Sequence, residues 1–153
     1  KTVYSQGEND FSAAGISGGD IIRINANEKN VVRAIELVWK HGSELLENAS
    51  IDNSANTSSR TPAYAVRMGY VYSVRTDVLD VYPASVSPDT LTDNDIIPLY
   101  LPQTKILKYD ERLNSVVELT REDLKDYKHF GEYRTKVIYC TANEALLNVF
   151  VIE

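Results

Sequence analysis

The chain has 153 residues, of which 43% are hydrophobic and 25% are charged, and this balance is typical of a globular protein rather than a disordered one. Sixteen basic and 22 acidic residues give a net charge of −6, which argues against nucleic-acid binding. The single cysteine excludes an internal disulfide and a zinc site built from several cysteines. No apolar run approaches the roughly 18 residues of a membrane-spanning helix.

The first part of the chain predicts a hairpin. A β-rich segment from Asp20 to Asn25 is followed by the polar turn cluster 26–30 and by the apolar stretch 31–39. The stretch 31–39 also fits one face of a helix, with Asn30 as its cap, but its four β-branched residues favour a strand. The polar segment 48–61 predicts a long surface loop. Asn48 and Asn56 match the glycosylation pattern there, but a loop rich in Asn and Ser produces such matches by composition, so we favour unmodified side chains.

The second part predicts mainly strands with one short helix. Tyr64 to Arg75 alternates between an apolar, aromatic set of even-numbered residues and a mixed set, and further strands are expected near 78–82, 96–101, 105–109, 115–119, 134–141 and 145–152. Thr120 is expected to cap a short helix near 121–127, with the Asp123 carboxylate near its positive end. The segments 21–28 and 137–144 also resemble each other and share an Ala-Asn-Glu turn.

These patterns predict an all-β, mainly antiparallel fold of about nine strands, arranged as a small barrel or a sandwich. We expect a single domain over 1–153, with a division into 1–47 and 62–153 as the alternative. Because the chain starts at Lys1 and ends with an apolar run before Glu153, we also expect a processed product or part of a longer protein.

Two loops invite interpretation as binding sites. Asp89, Asp93 and Asp95 are three carboxylates in seven residues, and calcium prefers oxygen ligands from such a loop. Their spacing does not match the twelve-residue calcium loop, so a solvated acidic loop is favoured. The glycine-rich segment Gly15–Gly19 is expected to be a tight turn rather than a phosphate cradle, because a strand follows it instead of a helix.

The residues available for catalysis are few. Cys140 lies in a predicted strand, and nothing in the sequence brings His41 or His129 near it, so a buried structural thiol is favoured over a nucleophile. We therefore predict no enzyme activity, no catalytic residue, no cofactor-binding residue and no metal ligand. An enzyme would need paired carboxylates with perturbed pKa values in a cleft.

Tyrosine dominates the aromatic residues, with ten tyrosines against three phenylalanines and one tryptophan. Ordinary cross-strand packing is the favoured explanation, a protein interface is the second, and a sugar-binding strip is the third. The tyrosines within or beside predicted strands are Tyr64, Tyr70, Tyr72, Tyr82, Tyr100, Tyr109 and Tyr139.

Several segments together resemble a known family. They are Gly19–Arg23 with Val31–Val38, Gly69–Val74 with Asp77–Leu79, and the tail of Tyr109-Asp110, 119–127 and 135–153. This set is similar to the β-rich region that follows the surface-layer homology domains of clostridial-type cell-surface and S-layer proteins. The resemblance covers 19–39 and 64–153 and implies a non-enzymatic, extracellular module of a layered assembly. The anchoring surface-layer homology repeats are absent from the sequence.

We therefore expect a structural or interaction module of a bacterial cell-surface assembly, with protein partners that are further copies or neighbouring domains and with no cofactor. A phage or virus tail, baseplate or decoration domain is the alternative, and a ligand-binding β-barrel is the third. An exposed strand edge accepts a further strand, and the apolar terminal segment 145–152 is expected to provide it.

Overall fold

A computed structural model describes residues 11, 15–47, 64–101, 104–126, 135–142 and 145–152. The chain forms two compact units, the first from 1–49 with 111–115 and the second from 50–110 with 116–153. The expectation of a single domain and its alternative division both stay predictions. The loop predicted at 48–61, with Asn48 and Asn56, and His129 lie outside the described residues.

Within the described part of the chain, regular structure consists of nine strands, one six-residue helix and two 3-10 turns at Pro88–Thr90 and Asp93–Asp95. The strands are β1 Ile21–Ala26, β2 Val32–Trp39, β3 Tyr64–Val74, β4 Val78–Pro83, β5 Ile97–Tyr100, β6 Lys105–Asp110, β7 Ser115–Leu119, β8 Lys136–Ala142 and β9 Ala145–Ile152, and the helix is α1 Arg121–Asp126. The predicted all-β, mainly antiparallel fold is confirmed. Because the sheet is not closed into a barrel, the barrel alternative is removed.

The first unit contains a two-stranded antiparallel sheet of β1 and β2, in which Ile24 lies opposite Ile35. The turn between them is held by the Asn27 side chain, whose Oδ1 accepts hydrogen bonds from the backbone N–H groups of Lys29 and Val31. Asn30 completes the turn in a left-handed conformation with φ of 63°, which asparagine tolerates better than most residues. Strand β2 confirms the strand interpretation of the stretch 31–39 and ends on the buried Val38 and Trp39.

The second unit contains a seven-stranded sheet in the order β5-β4-β3-β8-β9-β6-β7. Strands β5 and β4, β4 and β3, β3 and β8, and β8 and β9 pair antiparallel, whereas β6 and β9 run parallel. One face carries the main core, which joins side chains from β3 to β6, β8 and β9 with Leu124 of α1. The eleven buried members of this core are Val71, Leu79, Val81, Leu99, Leu101, Ile106, Leu124, Val137, Tyr139, Val149 and Val151.

A β-bulge in β3 divides the alternating set that the sequence predicts. The register runs from Val71 opposite Val81 to Ser73 opposite Asp80, so Tyr72 is an extra residue in β3. Beyond the bulge the faces exchange, and Val74 packs against the same core as Val71. The even-numbered residues from Val66 to Val74 therefore do not share one face.

Gly69 occupies the middle of β3 because the neighbouring backbone leaves no room for a side chain. A Cβ atom there would lie 2.7 Å from the carbonyl oxygen of Tyr82. Glycine normally weakens a strand, and here it marks the close approach of two backbones.

Helix α1 begins as its sequence predicts. The Asp123 carboxylate accepts hydrogen bonds from the backbone N–H and the hydroxyl of Thr120, and the Asp123 N–H donates to the Thr120 Oγ1. Leu124, fully buried, anchors the helix in the main core, and Arg121 pairs with Asp77 at the turn between β3 and β4. Both contacts fix a helix too short to be stable alone.

Strand β9 is an interior strand, so the expectation that the terminal segment forms an exposed edge is wrong. It pairs antiparallel with β8 on one side and parallel with β6 on the other. Its residues Val149, Val151 and Ile152 are all buried. The apolar run that suggested an edge is instead the pattern of a strand buried between two neighbours.

Candidate functional site

A buried carboxylate dominates the polar structure of the first unit. The Asp20 side chain has no solvent exposure and lies next to the end of β2. It accepts hydrogen bonds from the backbone N–H of Ser17 and of His41, each at 2.9 Å, from the Ser17 hydroxyl at 3.2 Å and from the Lys40 Nζ at 2.8 Å. We call Ser17, Asp20, Lys40 and His41 the Asp20 cluster.

The hairpin brings the Asp20 cluster together. Ile21 pairs with Trp39, so the next residue outward on each strand, Asp20 and Lys40, meet at the open end of the hairpin. The glycine-rich segment before β1 forms the expected tight turn, in which the Asp20 N–H donates to the Ser17 carbonyl oxygen and Gly19 has φ of 86°. On the other strand, Gly42 turns the chain with φ of 81°. Such positive φ values favour glycine at both places.

The pKa of the Asp20 carboxyl is lowered from 3.8 to about 2. Burial by itself would raise this pKa, but the hydrogen bonds from the His41 N–H, the Lys40 ammonium and Ser17 together outweigh it. Asp20 is therefore ionised at neutral pH and is neutralised by one nearby cation.

The Asp20 cluster contains a serine and a lysine in contact, but their geometry does not suit catalysis. A Ser–Lys pair needs a neutral amine with a free lone pair to take the serine proton. Here the Lys40 Nζ has three acceptors within 3.1 Å, namely the Gly15 carbonyl oxygen, the Ser17 Oγ and Asp20. The three N–H groups of an ammonium match these three acceptors, and the Ser17 hydroxyl itself donates to Asp20. The cluster therefore suits a structural clamp.

His41 lies beside this clamp with its ring between two groups. Its ring stacks on the Trp39 indole with 5.8 Å between centroids and an angle of 27°. Its Nε2 is 3.2 Å from the Oε1 of Glu111, which belongs to the same unit. Since Asp20 accepts the backbone N–H of His41 rather than an imidazole N–H, these two residues are not an acid–base pair.

A second buried carboxylate lies in the seven-stranded sheet at the bulge. Asp80 is 6% exposed and accepts a hydrogen bond of 2.5 Å from the Ser73 hydroxyl and two from the Arg75 guanidinium, at 2.9 and 2.6 Å. Burial by itself would raise the pKa of Asp80, but the hydrogen bonds from Arg75 and Ser73 lower it. The forked ion pair fixes the strand end that follows the bulge.

The carboxylates of the acidic loop between β4 and β5 do not converge on one site. Asp95 accepts hydrogen bonds from the backbone N–H and the hydroxyl of Thr92, at 2.9 and 2.7 Å, and thereby caps the second 3-10 turn. Asp89 lies in the other 3-10 turn. In the part of the chain that the structure describes, no group of three or more His, Cys, Asp or Glu residues is placed to hold a metal ion.

Cys140 lies in β8, and burial raises the pKa of its thiol to about 11. A thiol with such a pKa is almost entirely protonated at neutral pH and is a poor nucleophile. His41 belongs to the first unit and Cys140 to the second, and His129 lies outside the described residues.

Some of the tyrosine side chains are packed in the interior, and others are exposed to solvent. Tyr82 and Tyr139 are buried, and the Tyr70 ring packs on the Tyr82 ring of the neighbouring strand, tilted by 33° with 5.5 Å between ring centroids. Tyr72 and Tyr100 are 46% and 68% exposed. Packing therefore explains the first three, as expected, and leaves two aromatic side chains at the surface.

The two edges of the seven-stranded sheet differ in how well they are protected. Edge strand β5 has only four residues, one of which is Pro98, whose nitrogen carries no hydrogen. Edge strand β7 has five residues without proline or glycine, and its Val116 is 62% exposed. Among the described strands, β7 has β6 as its neighbour and none on its other side.

The one charged residue of β7 is paired with the neighbouring strand. Glu118 is bound to Lys105 of the neighbouring β6, with 2.9 Å between the Lys105 Nζ and the Glu118 Oε2. Proteins usually block a sheet edge with proline, with charge or with a short strand. Strand β5 has four residues and contains Pro98, whereas β7 has five residues, no proline and one charged residue, Glu118, which is paired with Lys105. This edge is not evident from the sequence, because strand order depends on contacts between distant segments.

Comparisons with protein-family models, with curated proteins and with solved structures found no match to this chain. Over the described residues, no helix has the length and apolar character needed to cross a membrane.

Proposed function

We propose that this chain is a non-enzymatic structural module of an extracellular assembly, which joins its neighbours by pairing strands at the edge of β7. The observation that carries the proposal is the difference between the two edges of the open sheet. An unprotected edge strand presents backbone N–H and C=O groups that another strand can pair with. The partner we favour is a further copy of the chain or a neighbouring domain of the same protein.

The side chains of β7 support strand pairing. Ser115, Val116 and Glu118 are exposed, and the Glu118 charge is neutralised by Lys105. Leu113, just before the strand, is 65% exposed and adds apolar surface. Main-chain hydrogen bonds supply affinity in such pairing, and exposed apolar side chains beside the edge supply contact area.

The buried charges of both units support a structural role over an enzymatic one. Asp20 and Asp80 are each saturated by donors from their own chain, which fixes a turn in one unit and a strand end in the other. A catalytic carboxylate instead needs a free oxygen directed at a substrate. The place of the assembly, a bacterial cell surface, rests on the resemblance of 19–39 and 64–153 to S-layer proteins.

The phage or virus alternative uses the same edge in a virion. Gene neighbours that encode surface-layer homology repeats support the first assignment, and neighbours that encode capsid or tail proteins support the alternative. A cell fractionation with an antibody against the chain gives the same distinction.

The test of the edge replaces one exposed residue on each edge strand by lysine. Val116→Lys places a charge on β7, while the control Tyr100→Lys places the same charge on β5, where the native residue is 68% exposed. Sedimentation velocity over a concentration series measures self-association, and circular dichroism checks that both variants keep their strands. We expect Val116→Lys to weaken association at least about tenfold and Tyr100→Lys to leave it unchanged, since an inserted edge charge opposes pairing. Equal association of the two variants, or a wild-type chain that stays monomeric, contradicts the proposal.

A further inference from the structure

The β-bulge in β3 exposes Tyr72 on the sheet face opposite the main core. Val71 and Val74 both belong to the core, so the two residues between them, Tyr72 and Ser73, both leave it. The Ser73 hydroxyl bonds the Asp80 carboxylate, whereas Tyr72 remains 46% exposed. Bulges that redirect a side chain in this way are over-represented beside functional sites.

The register of β3, β4 and β5 brings Tyr100 and Arg75 to the same face. The residues on either side of Tyr100, Leu99 and Leu101, belong to the main core, so Tyr100 points to the other face, where it is 68% exposed. Tyr100 pairs with Val78 of β4, and the Val78 carbonyl oxygen accepts the Arg75 N–H at 2.8 Å from the other side. Tyr100, Val78 and Arg75 therefore lie side by side across the sheet.

A buried partner fixes the Arg75 guanidinium. Its Nε and Nη2 donate to Asp80, which is 6% exposed and also accepts the Ser73 hydroxyl. In the part of the chain that the structure describes, no acceptor bonds the Arg75 Nη1, and the side chain is 60% exposed. The pKa of Arg75 is raised, mainly by Asp80 and in small part by the nearby Tyr100 phenol. We call Tyr72, Arg75 and Tyr100 the tyrosine–arginine patch.

The charges at this end of the sheet compensate each other. Arg75 pairs with Asp80, and Asp77, in the turn between β3 and β4, pairs with Arg121. Such pairs leave little net charge to attract a phosphate or a carboxylate ligand. Exposed aromatic rings with hydroxyl groups, beside a guanidinium held in one direction, instead match a ligand that has apolar C–H faces and many hydroxyl groups. That combination is the chemistry of an uncharged sugar.

We propose that the tyrosine–arginine patch binds a neutral glycan, with the tyrosine rings stacked on the C–H faces of sugar rings and the Arg75 Nη1 donating to a sugar hydroxyl. Stacking is favourable because the face of an aromatic ring is electronegative and attracts C–H hydrogens. Because Asp80 already holds the guanidinium, little side-chain freedom is lost on binding. Strand β5 lies at the opposite edge of the sheet from β7, so this site is separate from the proposed assembly edge.

Nuclear magnetic resonance of the isotope-labelled full chain tests the proposal. The neutral probes are cellohexaose, maltohexaose and N-acetylchitohexaose, and the comparison ligands are a sulfated heparin hexasaccharide and a decaproline peptide. We expect at least one neutral hexasaccharide to shift the Tyr100 amide and the Arg75 Nε–H resonances at concentrations up to about 10 mM, the range of a weak binding site. The comparison ligands are expected to leave both resonances unchanged.

Variants of the tyrosines identify the site. Tyr100→Ala and Tyr72→Ala should each raise the dissociation constant of the neutral glycan roughly three- to tenfold, the range that a stacked aromatic contact supplies. Tyr100→Phe keeps the ring and should bind within about twofold of the wild type. Val116→Lys, on the other edge of the sheet, is the matched control and should bind the glycan as the wild type does. Circular dichroism checks that each variant keeps its strands.

The outcomes decide the proposal without reference to self-association. It is overturned if none of the three neutral hexasaccharides shifts these resonances, if the heparin fragment or the decaproline peptide binds more tightly, or if Tyr100→Ala binds the glycan as the wild type does. None of these results bears on the β7 edge, since Tyr100→Lys is expected to lose the glycan and to keep self-association, and Val116→Lys to do the reverse.

Discussion

Replacing Asp20 by asparagine removes the charge at the centre of the Asp20 cluster and keeps its shape. Asparagine resembles a protonated carboxylic acid in size, so the variant imitates the wild-type protein at very low pH. Lys40 and the N–H of His41 then lose a charged acceptor, so the Lys40 ammonium no longer has the carboxylate charge that neutralises it.

The magnitude follows from the pKa of Asp20. A fall from 3.8 in the unfolded chain to about 2 in the folded one corresponds to roughly 2 kcal/mol of unfolding free energy. Because the Lys40 side chain is 39% exposed, solvent screens part of the ion pair, and we expect a loss of roughly 1–2 kcal/mol at pH 7. The folded pKa is the lower one, so this stability is fully present above pH 4 to 5 and is lost as the pH falls through about 2.

Urea unfolding followed by Trp39 fluorescence is the assay, since this tryptophan lies at the end of β2 in the same unit. The measurement compares wild type with Asp20→Asn at pH 7 and at about pH 2. The other carboxylates titrate in both proteins, so the difference between the proteins isolates Asp20. Asp89→Asn, at an exposed carboxylate, is the control and should match the wild type at both pH values. If the difference is absent at pH 7, or is equally large at about pH 2, the ionised Asp20 does not supply this stability.

Two further predictions concern the seven-stranded sheet. Gly69→Ala should lower the free energy of unfolding by about 1–3 kcal/mol in a urea titration, because its Cβ would lie 2.7 Å from the Tyr82 carbonyl oxygen; an unchanged midpoint would mean that the two backbones can separate at no cost. Cys140 should react with iodoacetamide at pH 7 at least roughly 100-fold more slowly in the folded protein than in urea, since burial raises the pKa of its thiol to about 11. Equal rates of alkylation, followed by mass spectrometry, would contradict that burial.

Local features were predictable because they depend on neighbouring residues. The hydrogen bonds between Thr120 and Asp123 confirm the helix start, and the side chain of Asn27 forms the predicted turn after β1. Alternating apolar residues located the strands of the described chain, since successive side chains of a strand point to opposite faces. The Asp20–Lys40 pair was also accessible in principle, because a hairpin centred on 27–30 places these opposite charges at the same level.

Strand order and the bulge were not accessible in this way. The apolar run of β9 fits an exposed edge or an interior position equally well, and only its parallel pairing with β6 decides between them. The extra residue at Tyr72 leaves no mark in the alternation of β3, yet it moves Val74 to the other face.

The acidic composition and the mainly antiparallel all-β fold could therefore be read from the residues alone. The period of two predicts strands and the turn residues predict turns, and both depend only on a few neighbouring positions. The strands at the sheet edges, the buried carboxylates and the contact of His41 with Glu111 become evident only in the folded chain. These features arise from hydrogen bonds and packing between segments far apart in the chain. The residues of one segment alone do not specify the free energy of such contacts.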